Sequence, residues 1–108
     1  MFHLVKLILV RFCVPKVDTV AHVKEIDRFL SEKERVLGLE NGHLKVIPQI
    51  ESTLAMVDCK DILKAGKGRF IAAAFGADDF TADFEVYRSE SDKELDFARK
   101  YFALQCHA

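Results

Sequence analysis

The segments LKVIPQI (Leu44–Ile50) and FIAAAF (Phe70–Phe75) have the length and apolar composition of buried β-strands. Carboxylates follow both: Glu51 comes directly after the first, and Asp78 and Asp79 follow the second after a Gly-Ala pair. Ligands bind at the carboxyl ends of the strands in a helix-covered parallel sheet, so adjacent strands would bring Glu51 and Asp79 to one cavity. Two carboxylates in a small, water-containing pocket favour a divalent cation, because unpaired buried like charges are costly.

The chain before these strands predicts one further strand and a helix. Arg11–Val14 is apolar and ends at a proline, which favours a short buried strand, and a second strand before it is possible. Apolar residues at three- to four-residue spacing predict a helix over Thr19–Val36. Charged residues between these apolar positions, Glu34 among them, are expected to form its solvent-exposed face.

Two more helices are predicted after the strands. The second should run from a cap at Ser52–Thr53 to about Lys64, with Gly66 in the left-handed conformation that commonly ends helices. An irregular connection is expected over Thr81–Arg88, and Ser91–Glu94 has the pattern of a capping box that opens a third helix. The resulting strand–helix alternation predicts an α/β fold with three to four parallel strands.

Composition and charge exclude several classes of protein. The chain has 108 residues, half of them hydrophobic, and a net charge of −1, which fits a single small globular domain. Such a balanced charge gives no electrostatic basis for binding nucleic acid or an anionic membrane. The apolar start is shorter than a membrane span and is interrupted by Lys6 and Arg11. Three widely spaced cysteines predict reduced thiols, so we expect a cytoplasmic or mitochondrial matrix protein that is not secreted.

Four motifs resemble one known family when they are taken together. VPKVD (Val14–Asp18), IPQIEST (Ile47–Thr53) and FGADDFTAD (Phe75–Asp83) resemble, in order and spacing, the citrate lyase β-subunit-like group of the HpcH/HpaI aldolase/citrate lyase superfamily. DFAR (Asp96–Arg99) is similar to the family's closing Tyr-Ala-Arg run. The resemblance implies a (β/α)₈ barrel, of which this chain would contain about strands 4–6. Since a barrel needs about 250 residues, residues 1–108 would be a partial domain, with an atypical start over residues 1–11.

The resemblance also implies a chemistry and a set of site residues. Glu51 and Asp79 would be ligands of Mg²⁺, and Asp79 rather than Asp78 is the member of the acidic pair that matches the family. Lys16, Ala77 and Asp78 are expected to line the substrate pocket, although Lys16 could equally be a solvated lysine. The family arginine that holds the substrate carboxylate, and a further acid for proton transfer, are expected to lie outside this chain. No catalytic residue can therefore be assigned here.

Two functions follow from these observations. The first is a Mg²⁺-dependent carbon–carbon lyase acting on a CoA thioester or 2-oxo acid, within a homo-oligomer. The alternative is a non-catalytic part of a barrel that acts only by self- or hetero-association, because open edges of a parallel sheet favour pairing with another chain. Glu85 also stands where the family usually has glycine. Glutamate would be poorly tolerated there if the backbone had a positive φ.

Overall fold

A computed structural model describes residues 11–108, with side chains from Cys13 onward. In this part of the chain three parallel strands form a sheet in the order β1-β2-β3, namely Arg11–Val14 (β1), Lys45–Ile50 (β2) and Ala74–Phe75 (β3). The α-helices are Val20–Leu37 (α1), Thr53–Val57 (α2), Cys59–Ala65 (α3), Ala77–Asp83 (α4) and Asp96–His107 (α5). This alternation confirms the predicted α/β arrangement of parallel strands. A strand before Arg11 would lie outside the described residues.

The central strand β2 pairs with both neighbours in parallel, but its pairing with β3 is interrupted. The register with β1 runs from Arg11 opposite Lys45 to Val14 opposite Pro48. On the other edge, Val46 exchanges hydrogen bonds with the segment around Phe70, and pairing resumes only at Ala74–Phe75. Pro48 lies midway on this edge and has no N–H to donate. The predicted strand Phe70–Phe75 is therefore split into a bridge and a two-residue strand.

Helix α1 begins and ends with clear capping interactions. The hydroxyl of Thr19 accepts a hydrogen bond from His22 N at 3.0 Å, and Gly38 ends the helix in the left-handed conformation, with φ 70°. The predicted boundaries are thus correct to within one residue. The assignment of Glu34 to the solvent-exposed face is wrong, because Glu34 is buried and is paired with Arg69.

The second predicted helix is divided into α2 and α3 at Asp58. This residue has φ −95° and ψ 14° and flanks both helices, in keeping with the preference of aspartate for helix ends over helix interiors. The prediction for Gly66 is also wrong, because its φ is −91° and the left-handed glycine is Gly68. Glycine is required at position 66 by close approach: a Cβ there would lie 2.2 Å from the ring of Phe70.

The segment after β3 is more helical than predicted. Helix α4 covers Ala77–Asp83, so the acidic pair lies in the first turn of a helix, and the irregular connection begins only at Phe84. The predicted capping box at Ser91 is not formed. Glu94 instead accepts hydrogen bonds from the backbone N–H and the hydroxyl of Ser89. Leu95, which directly precedes α5, and Ala98, which lies within it, are buried.

The main core lies between one face of the sheet and the helices. Ile50, Ile62 and Leu95 are fully buried in it. Strand β2 alternates, with Val46, Pro48 and Ile50 buried and the residues between them only half-buried, so the helices cover one face of the sheet more completely than the other. No helix within residues 11–108 is both long and apolar enough to cross a membrane.

Candidate functional site

A cleft of about 290 Å³ lies at the carboxyl ends of the strands. Three of its residues follow β1, β2 and β3 in turn: Lys16, Glu51 and Asp79. The complete lining within the described residues is Lys16, Asp18, Glu51, Ser52, Asp79 and Asp83. The expectation that Glu51 and Asp79 face one cavity is therefore met, because parallel strands end at the same edge of the sheet.

Glu51 is held firmly at the base of this cleft. It directly follows the buried Ile50, is only 8% exposed, and its Oε2 accepts a hydrogen bond from the backbone N–H of Lys16 at 2.8 Å. On the other side it packs against Gly76, where a Cβ would lie 2.4 Å from the Cγ and 2.7 Å from the Oε1 of Glu51. Gly76 is therefore needed for the position of this carboxylate. Gly76 N also donates to Ile50 O at 2.9 Å, which ties β3 to the strand that carries Glu51.

The two adjacent aspartates in the first turn of α4 have different surroundings. Asp79 lines the cleft, whereas Asp78 has a side chain that is 86% exposed and forms an ion pair with Arg88. Helix α4 is oriented by Phe80, which is buried and packs edge-on against Phe75 with ring centroids 5.3 Å apart. Ala77 and Asp78, both predicted to line the substrate pocket, are not among the lining residues of this cleft. Lys16 is among them.

Two further aspartates bind the turn that follows Glu51. Ser52 donates a hydrogen bond from its hydroxyl to Asp18 at 2.7 Å, and the same hydroxyl caps α2 by accepting from Ala55 N at 3.0 Å. Thr53 donates to Asp83 Oδ2 from both its backbone N–H and its hydroxyl, each at 2.7 Å. These two hydrogen bonds hold the pKa of the Asp83 carboxyl below its usual value.

The sequence pattern gave no role in the site to Asp18 or Asp83. Asp18 directly precedes Thr19, the residue that caps α1. Asp83 follows Asp79 by four residues, a spacing that places both on one face of a helix. That signal would have been readable only if a helix had been predicted over Ala77–Asp83.

The side chains of the cleft fit a hard divalent cation. Its possible ligands are oxygen atoms, and Glu51 and Asp79 stand on neighbouring strand ends. Within residues 11–108 there is no cluster of three or more His, Cys, Asp or Glu side chains placed to hold an ion. Mg²⁺ is compatible with this set, because it commonly takes one or two protein carboxylates and completes its coordination with water and substrate oxygens. A structural zinc site is not compatible with this set of residues, because such a site needs four protein ligands.

Comparison with known proteins identifies the family. The family model of HpcH/HpaI aldolase/citrate lyase matches residues 2–108. The citrate lyase β subunit of Haemophilus influenzae is 35% identical over 86 residues, which cover 80% of this chain but 29% of the subunit. The corresponding subunit of Leuconostoc mesenteroides subsp. cremoris is 33% identical over 86 residues and is covered to 28%. The chain thus spans somewhat more than a quarter of the length of these relatives.

Solved structures show the same fold. A citrate lyase from Burkholderia xenovorans superposes with a TM-score of 0.75 at 21% identity, covering 91% of this chain and 32% of that one. A citrate lyase β subunit of M. tuberculosis, complexed with oxaloacetate and magnesium, gives a TM-score of 0.63 at 18% identity, over 89% of this chain and 38% of that one. These matches confirm the predicted fold class, part of a (β/α)₈ barrel. The match of the family model over residues 2–108 establishes that this chain belongs to the HpcH/HpaI aldolase/citrate lyase family.

Proposed function

We propose that this chain is part of a Mg²⁺-dependent carbon–carbon lyase that acts on CoA thioesters of the citryl, malyl or citramalyl type. Glu51 and Asp79 are the proposed ligands of the ion. The main observation in support is that both carboxylates line one cleft at the ends of neighbouring parallel strands. Membership of the family and the magnesium and oxaloacetate bound to the M. tuberculosis relative agree with this proposal.

The residues of the cleft have distinct roles in this proposal. Glu51, fixed by the N–H of Lys16 and by its packing on Gly76, presents a carboxylate that needs little reorganisation to bind a cation. The side chain of Lys16 is exposed and adds positive charge where an anionic substrate would enter. A bound Mg²⁺ would supply the charge that offsets negative charge developing on substrate oxygens as the carbon–carbon bond breaks.

Calorimetric titration of Mg²⁺ into the full chain tests the metal role. We expect saturable binding to the wild type, and affinity lowered at least about tenfold by Glu51→Ala or Asp79→Ala. Asp78→Ala is the matched control, since it removes the same charge from the neighbouring residue, whose side chain lies outside the cleft. Wild-type protein that binds no Mg²⁺, or an Asp78 variant as impaired as the Asp79 variant, would contradict the proposal.

The second candidate function is association without catalysis. Its support is an apolar groove of about 260 Å³, which we call the aromatic groove. The groove is lined by Thr53, Met56, Val57, Phe80, Phe84, Glu94, Phe97, Ala98 and Tyr101. Phe97 is 77% exposed and Phe84 is 55% exposed, and a large exposed apolar patch commonly marks an interaction surface. Sedimentation combined with the Mg²⁺ titration distinguishes the two candidates: association without Mg²⁺ binding favours this one, and Mg²⁺ binding favours the first.

We also propose a cytoplasmic or matrix location. The described cysteines are all free thiols, and Cys13 and Cys106 are exposed, a state that a reducing compartment preserves. Fractionation of cells followed by thiol labelling checks this. Recovery of the chain from the secreted fraction, with its cysteines oxidised, would contradict it.

A further inference from the structure

The two proposed metal ligands are carried by different elements of the chain. Glu51 lies at the end of β2, just before the turn Ser52–Thr53, and Asp79 lies on helix α4. A cation shared by two carboxylates requires a fixed distance between them, and Mg²⁺ tolerates little deviation from its ideal geometry. A contact that joins the turn to α4 would therefore control the site without touching the ion.

Asp83 makes that contact. It lies four residues after Asp79 on the same helix, so both side chains project from one face. Its Oδ2 accepts two hydrogen bonds from Thr53, one from the backbone N–H and one from the hydroxyl, both at 2.7 Å. Thr53 follows Glu51 by two residues. The hydrogen-bonded pair Asp83–Thr53 thus connects the helix that carries Asp79 to the turn that directly follows Glu51.

The remaining contacts of the turn do not provide this link. Asp18 binds Ser52 and so joins the turn to the segment after β1, which carries no proposed ligand. Gly76 N binds Ile50 O and ties the start of α4 to the end of β2, and the buried Phe80 packs the helix against Phe75. Asp83 ties the opposite end of α4 to Thr53, two residues after Glu51.

We infer that Asp83 is a positioning residue of the site: by binding Thr53 it sets the separation between the carboxylates of Glu51 and Asp79. The inference rests on the proposed metal role of those two residues. Asp83 would act mainly through its two hydrogen bonds with Thr53, and its negative charge would contribute less to the affinity for the ion. Partners that orient metal ligands in this way commonly change metal affinity by about 10- to 100-fold when they are removed.

Four variants of the full chain separate the hydrogen bonds from the charge. Asp83→Ala removes both, whereas Asp83→Asn removes the charge but keeps an oxygen that accepts from Thr53. Thr53→Val removes one of the two donors without changing any charge, and Thr53→Ser keeps both. We expect Mg²⁺ affinity about tenfold lower for Asp83→Ala, intermediate for Thr53→Val and close to wild type for Asp83→Asn and Thr53→Ser.

The ratio of Mg²⁺ to Ca²⁺ affinity distinguishes positioning from general destabilisation. Ca²⁺ accepts irregular geometry more readily than Mg²⁺, so loosening the carboxylate pair should weaken Mg²⁺ binding more than Ca²⁺ binding. Equal loss for the two ions in Asp83→Ala, or equal loss of Mg²⁺ binding in Asp83→Asn and Asp83→Ala, would overturn the inference. If circular dichroism shows that Asp83→Ala does not fold, Thr53→Val against Thr53→Ser decides the question. Wild-type protein that binds no Mg²⁺ would overturn the proposed function itself, and this inference with it.

Discussion

Glu85 occupies a left-handed backbone conformation, with φ 61°, two residues after the end of α4. A glutamate there bears the steric cost of placing its Cβ near its own carbonyl, which glycine avoids. The side chain is exposed and makes no hydrogen bond among the described residues that would offset this cost. The backbone at position 85 therefore has the positive φ at which glutamate is poorly tolerated.

Replacing Glu85 by glycine should stabilise the fold. We expect Glu85→Gly to raise the free energy of unfolding by about 0.5–1 kcal/mol, the usual gain when a strained left-handed residue becomes glycine, less the entropy lost by glycine. Urea unfolding measures the change. Glu90→Gly is the control, since Glu90 is exposed and has no positive φ. A neutral or destabilising Glu85→Gly would show that this backbone is not strained.

A second prediction about a single residue concerns Gly76, which packs against Glu51. A methyl group at position 76 would overlap the Glu51 side chain, so Gly76→Ala should displace that carboxylate from the cleft. On the proposed metal role, Mg²⁺ affinity should fall by about tenfold or more, measured by calorimetry.

The control for this prediction is Gly66→Ala. It creates a comparable overlap with the Phe70 ring, away from the residues that line the cleft. Gly66→Ala should therefore lower stability by about 1–3 kcal/mol without changing metal affinity in the folded protein. Equal effects of the two alanines on Mg²⁺ binding would contradict the assignment of Gly76 to the site.

At the level of elements, a buried ion pair joins α1 to the sheet. Glu34 on α1 accepts hydrogen bonds from the side chain of Arg69 and from the backbone N–H groups of Gly42 and Leu44. Arg69 directly precedes Phe70, which forms a bridge with β2. Arg69 also donates to the Leu44 carbonyl and to Asp27. The side chains of Glu34 and Arg69 are 1% and 5% exposed, so water cannot replace either partner. These contacts fix α1 against the start of β2 and against the segment that bridges to β2 at Phe70.

Glu34→Gln tests this connection. It removes the buried counter-ion of Arg69 and leaves only the pair with the exposed Asp27, so it should lower the free energy of unfolding by about 3 kcal/mol. Glu32→Gln is the matched control on the same helix, because its ion pair with Arg35 is exposed and should contribute less than about 1 kcal/mol. Thermal or urea unfolding of both variants gives the comparison. Similar losses in the two variants would contradict a special role for the buried pair.

The same carboxyl predicts a dependence of stability on pH. Burial raises the pKa of Glu34, but the hydrogen bonds from Arg69, Leu44 and Gly42 outweigh it and hold the pKa below the ordinary value of 4.5. A carboxyl whose pKa is lower in the folded protein than in the unfolded chain stabilises the fold at pH values above its ordinary pKa. This contribution to stability is lost as the pH falls through the pKa of the folded protein. We expect wild-type stability to decline below about pH 4.5, and the decline to be shallower in Glu34→Gln. Parallel pH profiles would contradict this.

On the scale of the molecule, the exposed apolar surface predicts self-association. The aromatic groove lies on the helical side, and its residue Phe97 stacks on Tyr101 with ring centroids 5.8 Å apart and remains largely exposed. We expect sedimentation at tens of micromolar to give a species heavier than one chain, because burying such rings favours association.

Phe97→Lys should shift this equilibrium toward the single chain by about tenfold in dissociation constant. Phe29→Lys, at a phenylalanine on α1 that is 62% exposed and is not part of the groove, should have little effect. A wild-type protein that sediments as one chain, or a Phe29 variant that dissociates as readily, would contradict this use of the groove.

Features confined to short stretches were predictable from the sequence. Local apolar runs and the residues that end them predict the parallel strands and the boundaries of α1. They also show that carboxylates follow two of the strands within a few residues. The ordered motifs also indicated the family, which the match over residues 2–108 confirms. Parallel strands end at one edge, so Glu51 and Asp79 could be expected to face one cleft before any contact was known.

Contacts between distant segments could not be read in this way. Whether Glu34 lies in solvent depends on Arg69, 35 residues later, and the place of Glu51 depends on the missing Cβ of Gly76. The role of Asp83 depends on Thr53, 30 residues earlier. Periodicity reports which face of an element is apolar, but not which polar side chain of another element meets it. That choice is made only when the elements pack, since each buried donor or acceptor must then find a partner.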